Sequence, residues 1–400
     1  MRSPRVALFA DCYHEVNGVA NTMRHLTAFA RRRELPMLCV RTAAESRAIH
    51  DGSMRAWEYR RSFLRVPADQ DLFFDPLFLR LLPALHRELR AFQPDLIHTT
   101  GPGDCGILGV LLSRLLRIPL VASWHTNVHE FAARRLHQAL SFLPAGPRQG
   151  LTNWTELSLF SLAALYYRVP RLILAPNPEL ARLLGERTSR PVHLMARGVD
   201  TALFRPLLRP SADRRLRFGY VGRLTPEKNV RLLVEAERML RQTGARNVEF
   251  LIVGDGGERP ALAAAMPSAT FTGVLKGEAL AAAYASMDAM LFPSHTDTYG
   301  NVVLEAQACG TPVLVTASGG PKYLVESGVS GWVAHDDADF VRRAISLAAS
   351  SATLAGMRAG ARRNAERRSW EQVFTDLYAS YEAVLAPQSC RAGNPVPAGA

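Results

Sequence analysis

Apolar residues fall along this chain in short runs separated by longer amphipathic stretches. The runs at 6–11, 37–41, 96–100, 120–124, 172–176 and 192–195 are of strand length, and segments between them, such as 22–33 and 77–92, are of helix length. Strands that alternate with helices predict a parallel, doubly wound sheet. The pattern then repeats, with strand-length runs at 217–222, 248–254, 270–273, 289–293, 312–317 and 331–335. The predicted fold class is therefore α/β with two Rossmann-like halves, 1–196 and 213–369, joined by a linker at 197–212, and the stretch from Pro210 to Arg215 is polar enough to continue it. Near the end, Trp370, Val373, Phe374, Leu377, Tyr378, Tyr381 and Val384 recur at helical spacing, which predicts an amphipathic helix over 370–387. The small and polar residues 388–400 are expected to be disordered.

One stretch stands out: Ser294-His-Thr-Asp297-Thr-Tyr-Gly300-Asn-Val-Val-Leu-Glu305-Ala. The strand 289–293 precedes it, and a helix apolar on nearly every face, 301–309, follows from Asn301, with Val302, Val303, Leu304, Ala306 and Ala308. Glu305 is thus an acid on a buried helix, which costs several kcal/mol unless the carboxylate is paired or hydrogen-bonded. Gly300 opens the helix and leaves the amides of Asn301 and Val302 pointing where a diphosphate would be held. The plain structural alternative is that Asp297 or Thr298 caps the helix and an Arg meets Glu305.

Other loops at strand ends carry candidate chemistry, because open parallel sheets bind ligands there. The first is Asp11-Cys-Tyr-His-Glu-Val-Asn17-Gly18, in which Gly18 allows a close approach of backbone to ligand and Asn21 or Thr22 would cap the next helix. It lacks GxGxxG, which argues against a dinucleotide-binding dehydrogenase. His98-Thr-Thr-Gly-Pro-Gly103 and Ser123-Trp-His125-Thr-Asn127-Val-His129-Glu130 follow. His125, His129 and Glu130 have no third ligand at a convincing spacing, so no metal is expected there. In Gly219-Tyr-Val-Gly222-Arg223-Leu-Thr-Pro-Glu-Lys228, a Pro-containing turn brings two cations, Arg223 and Lys228, toward one diphosphate. Val253-Gly-Asp-Gly-Gly257 and Ser318-Gly-Gly320-Pro321 are two further glycine-rich strand ends, the latter also readable as a simple turn. Asp69-Gln-Asp71 follows Pro67 and Asp337-Ala-Asp339 lies in a polar stretch, so neither reads as the DxD that a metal-binding strand end would carry, and both look incidental.

Composition narrows the setting. The chain has 400 residues, 48% of them hydrophobic, enough for two domains with a large core. Its five cysteines are scattered and form no CxxC pair, so neither a disulfide framework nor a zinc site is indicated and a reducing cytoplasm is expected. The first apolar run is too short for a signal peptide, and the tract 105–124 is interrupted by Arg114 and Arg117, so no membrane-spanning helix is expected. The net charge of +12 is uneven: residues 1–200 hold 26 Arg, no Lys and 17 acids, so association with an anionic bilayer, nucleic acid or an anionic acceptor enters the reading. Arg134, Arg135 and the apolar-basic segment 157–171 would suit an interfacial helix, with core packing as the alternative. An Arg-rich composition with only 3 Lys is the bland explanation of the charge.

Taken with the loops, Asp297 and Glu305 resemble the acid-x7-acid signature of the retaining, nucleotide-sugar-dependent glycosyltransferases of family 4. The resemblance covers most of the chain. It implies a GT-B fold, two Rossmann-like domains facing a cleft with a C-terminal helix crossing back to the N-terminal domain, and residues 196–206 resemble the family's interdomain linker. It further implies that Asp297 contacts the donor sugar, that the amides after Gly300 and the cations Arg223 and Lys228 hold the diphosphate, that Glu305 binds the ribose, that Gly18 lies against the donor phosphates and that His125 contacts the sugar near the reacting centre. Most members have Glu where this chain has Asp297, one methylene shorter; a subset resembling mannosyltransferases and glycolipid synthases shares Asp.

The implied reaction is metal-independent transfer of a sugar from a nucleoside diphosphate, with mannose from GDP-mannose the nearest match and a UDP-sugar glycolipid synthase next. The acceptor would be a glycan or lipid-linked, and the enzyme cytoplasmic, at the inner face of the membrane if its basic half contacts anionic lipid. No cofactor is expected. An epimerase of the same architecture and a non-catalytic protein that binds an anionic surface are the rivals; no lysine-bearing pyridoxal signature supports a phosphorylase, and nucleic acid is not expected as a partner.

Overall fold

A computed structural model of the chain describes residues 3–15, 18–67, 73–125, 161, 163–207, 215–244 and 248–386. Asn17, Asp69, Asp71, Asn127, His129, Glu130, Arg134, Arg135, most of the segment 157–171 up to Leu162, the end of the linker from 208 and the tail 388–400 lie outside the described residues. Two compact units are present. The first is built from the chain up to His125, then 161–195, then residues from Val373 onward; the second from Ala196 to Gln372.

The first unit is centred on strands β1 (Val6–Ala10), β2 (Met37–Thr42), β3 (Arg47–Asp51), β4 (Met54–Tyr59), β7 (Leu96–Thr99), β8 (Leu120–Ser123), β9 (Leu172–Ala175) and β10 (Val192–Leu194), with a separate ribbon of β5 (Val66–Pro67) and β6 (Phe73–Phe74). Their order is β10-β9-β8-β7-β1-β2-β4-β3, parallel except where β3 pairs antiparallel with β4. Strands β1, β7, β8 and β9 are buried at every residue. Helices α1 (Gly18–Arg32), α2 (Leu82–Phe92), α3 (Asp104–Leu116) and α4 (Pro178–Thr188) connect them, and burial on both faces is why these strands read as continuous apolar runs. Helix α4 shows the expected start signals, Pro178 in its first turn and Asn177 Oδ1 accepting from the Leu180 amide at 2.9 Å. The β3–β4 hairpin was not predicted. β3 is a polar edge strand with four of its five residues exposed, which leaves no apolar run to read and discourages edge-to-edge pairing.

The second unit holds β11 (Leu216–Val221), β12 (Val248–Val253), β13 (Thr270–Gly273), β14 (Ala289–Phe292), β15 (Val313–Thr316) and β16 (Gly331–Ala334), all parallel in the order β13-β12-β11-β14-β15-β16. Around them run α5 (Arg231–Gln242), α6 (Arg259–Ala265), α7 (Gly277–Ser286), α8 (Asn301–Ala308), α9 (Asp337–Ala349) and α10 (Ser351–Glu366). Strand order reverses direction about β11 and β14, which makes the loops leaving these two strands the topological switch point where such sheets bind ligands.

The chain ends in α11 (Trp370–Leu385), whose residues from Val373 belong to the first unit. There Phe374 and Tyr378 pack on Phe29 at ring distances of 5.5 and 6.0 Å, and Tyr381 on His98 at 5.7 Å. Among the described residues no helix is long and apolar enough to cross a membrane.

Candidate active site

The loop after β11 and the loop after β14 are built against each other. Pro226 starts a single turn of 3-10 helix that ends at Lys228, and Lys228 Nζ lies 2.6 and 2.7 Å from the two Asp297 carboxylate oxygens. This pair is largely shielded, with side chains 12% and 20% exposed. The Thr296 hydroxyl donates to the Glu227 carbonyl at 3.1 Å, so backbone as well as charge joins the two loops. A third loop, after β15, closes on them. The Gly320 amide donates to the Asp297 carbonyl at 2.7 Å, and a Cβ on Gly320 would stand 2.0 Å from the Thr298 carbonyl oxygen, so only glycine fits there. Arg223 is looser, 43% exposed and 3.6 Å from Glu227.

Gly300 is the N-cap of α8 with φ at +92°, a left-handed conformation that suits glycine, and as a glycine it has no side chain with which to cap the helix. The capping alternative for Asp297 therefore does not describe the structure; its carboxylate is engaged by Lys228 instead. The amides of Asn301 and Val302 open α8 and belong to the first turn that has no intrahelical partner, where the helix dipole favours an anion. One turn further in, Glu305 accepts a hydrogen bond from the Tyr284 hydroxyl at 2.8 Å, so its partner is a tyrosine on α7 and not an arginine. Burial pushes the Glu305 carboxyl above its ordinary range, opposed by the Tyr284 hydrogen bond. Its side chain still keeps partial access to solvent.

These contacts bring Lys228, Asp297, Gly300, Asn301 and Val302 into one cluster at the switch point, with Glu305 a turn behind. The family model described as Glycosyltransferase Family 4 matches residues 16–203, and the model described as Glycosyl transferases group 1 matches residues 215–350. A GDP-mannose-dependent alpha-mannosyltransferase of Mycolicibacterium smegmatis is 33% identical over 97% of this chain and 100% of its own. The chain belongs to glycosyltransferase family 4. A second GDP-mannose-dependent alpha-mannosyltransferase, from Corynebacterium glutamicum, is 29% identical to this family 4 chain over 96% of it and 90% of the relative. Among solved structures, a sucrose-phosphate synthase from Thermosynechococcus elongatus superposes with a TM-score of 0.73 at 19% identity, over 96% of this chain and 99% of that one, and the shared architecture is GT-B.

Two of the predicted site residues of this glycosyltransferase, Gly18 and His125, belong to the first unit. Gly18 is the exposed first residue of α1, which begins earlier than the sequence suggests: Thr22 lies inside the helix, its hydroxyl donating back to the Gly18 carbonyl at 2.8 Å rather than capping. His125 follows β8 and is 7% exposed, its Nε2 2.6 Å from Ser123 Oγ. Sequence reasoning passed over Asp11, at the end of β1. Asp11 Oδ1 accepts from the Cys105 and Gly106 amides at 3.1 and 3.2 Å, at the start of α3. Burial, and then the neighbouring Asp104 charge, push its carboxyl up to about 7. Asp104 is itself held by Arg61 through two 3.0 Å hydrogen bonds. The only sequence signal for this arrangement was an acid closing an apolar strand.

Proposed function

We propose that this glycosyltransferase transfers mannose from GDP-mannose to an acceptor with retention of anomeric configuration and without a metal ion. The observation that carries the reading is the cation-and-amide cluster at the switch point of the second unit: Lys228 on Asp297, Arg223 beside them, and the open first turn of α8. Two full-length relatives named for GDP-mannose support the choice of donor. In the reaction, the bond between the sugar C1 and the β-phosphate oxygen breaks with its electron pair going to that oxygen. The acceptor oxygen forms the new bond on the same face, and its proton goes to the leaving phosphate. The barrier is chiefly electrostatic, and Arg223, Lys228 and the Asn301 and Val302 amides meet the charge that develops on the diphosphate. Asp297 orients the sugar, His125 of the first unit is assigned to the sugar as well, Gly18 to the donor phosphates and Glu305 to the ribose. The acceptor is lipid-linked and presented at an anionic surface, for which the 26 Arg of residues 1–200 are the motive.

Release of GDP or UDP measured over a panel of GDP- and UDP-sugars, with water and a lipid extract as acceptors, tests this reading. Turnover with GDP-mannose that survives EDTA is expected. Turnover with UDP-sugars alone would overturn the donor, and loss on chelation with recovery on adding Mg²⁺ would overturn the metal-free clamp.

The ribose assignment has its own consequence. A carboxylate that accepts from two ribose hydroxyls must be ionised, and Glu305 binds its proton more tightly than an ordinary glutamate. The donor KM is therefore expected to rise as pH falls, from a pH above the usual carboxylate range. Glu305→Gln should raise KM on the order of 10-fold at neutral pH, leave kcat within a few-fold, and flatten that pH dependence. An unchanged KM in a folded variant removes Glu305 from the ribose.

A further inference from the structure

A line of four side chains runs through the first unit from the C-terminal helix to His125. The Tyr381 hydroxyl is 2.7 Å from His98 Nδ1, His98 Nε2 is 3.0 Å from Ser123 Oγ, and Ser123 Oγ is 2.6 Å from His125 Nε2. Tyr381, His98 and Ser123 are fully buried. Burial holds His98 down to about 3, so its ring is neutral and carries one proton.

Counting protons gives the line a direction. Among the described residues, His98 Nδ1 is the acceptor within reach of the Tyr381 hydroxyl. A tyrosine O–H in a fully buried setting donates when it can, since an unmade hydrogen bond there forfeits the solvation that the hydroxyl had in water. With Nδ1 accepting, the single proton of neutral His98 sits on Nε2 and is donated to Ser123 Oγ. The Ser123 hydroxyl then has its own proton for one of two acceptors, His125 Nε2 at 2.6 Å or the Thr99 carbonyl at 3.5 Å, and the shorter contact takes it. His125 Nε2 is thereby an acceptor, and a neutral His125 carries its proton on Nδ1. The reverse polarity would have His98 donate to Tyr381 and leave the tyrosine proton without an acceptor among the described residues.

We propose that Tyr381, His98 and Ser123 are positioning residues that fix the tautomer and ring plane of His125. Their effect on turnover rests on the reading that His125 meets the donor sugar; the tautomer itself does not. A histidine held in one tautomer and one ring plane meets a ligand in one defined way, and orientation of this kind is a part of catalysis that the protein sets before substrate binds. It also gives the C-terminal helix a task beyond packing, since Tyr381 is its contribution to the line.

The test is a long-range ¹H–¹⁵N spectrum of the full chain labelled at histidine, with the His125 signals assigned by their loss in His125→Gln. The expected wild-type pattern is a protonated Nδ1 and an unprotonated Nε2. Tyr381→Phe, which deletes one hydroxyl, and Ser123→Ala should each move His125 toward a mixture of tautomers. In the same variants kcat should fall about 10-fold while the donor KM stays within about 2-fold. A wild-type His125 protonated on Nε2, or a pattern indifferent to both substitutions in folded protein, overturns the relay. A tautomer shift with wild-type kcat upholds the relay and removes the assignment of His125 to the sugar instead.

Discussion

Asp297→Ala is expected to lower kcat on the order of 10²- to 10³-fold, the largest effect of any single substitution in this glycosyltransferase. The acid lies ahead of α8, is held by Lys228 through both oxygens, and has its backbone fixed by the Gly320 amide, so its direction is set before substrate arrives. Removing it takes away a group assigned to the sugar, whose geometry changes at the transition state, and also leaves the Lys228 ammonium without its partner. The loss should fall on kcat more than on nucleotide affinity. Because the pair is mostly shielded, a modest drop in Tm should accompany it. Asp297→Glu keeps the charge and should retain far more activity than Ala, at a cost set by one extra methylene. Activity, GDP affinity and Tm measured together decide the matter. A folded Ala variant with near wild-type turnover would overturn the assignment of the whole cluster.

Lys228→Ala should cost kcat about 10²-fold, because an ammonium aimed at the departing diphosphate stabilises charge that appears only in the transition state. The structure adds a condition that the sequence did not supply. Lys228 and Asp297 form one contact pair, so their losses should not multiply. The Lys228→Ala/Asp297→Ala double variant should be only a few-fold worse than the poorer single variant. Kinetics of the four members of this cycle at saturating donor provide the check, and strictly multiplicative losses would mean that the two side chains act independently and that the ion pair is incidental.

The sequence by itself determined the class of the fold and the family. Strands such as Val6–Ala10 and Ala289–Phe292 are buried on both faces, so they appear as unbroken apolar runs whatever their neighbours are. The glycines and charged residues that follow them, Gly300 and Lys228 among others, were legible because local backbone demands and ligand chemistry restrict residue type at those points. Helix α11 was legible for a similar reason, a 3.6-residue stripe that needs a covering surface. Where the element was polar the reading failed. The β3–β4 hairpin has an exposed, charged edge strand, and Asp51-Gly52, a common hairpin turn dipeptide, was its one local sign.

What only the tertiary structure decided is who pairs with whom. Asp297 and Glu305 were both placed in the site, yet nothing within either segment could show that the first is held by a lysine 69 residues earlier and the second by a tyrosine 21 residues earlier. Tyr381 and His98 are 283 positions apart, and their contact exists because an apolar helix at the end of the chain packs on the first unit. Hydrophobic pattern specifies which face of an element is buried, but short-range, directional contacts between polar groups are set by how those faces meet. Such contacts fix the charge, tautomer and aim of the site, because each depends on a partner within about 3 Å.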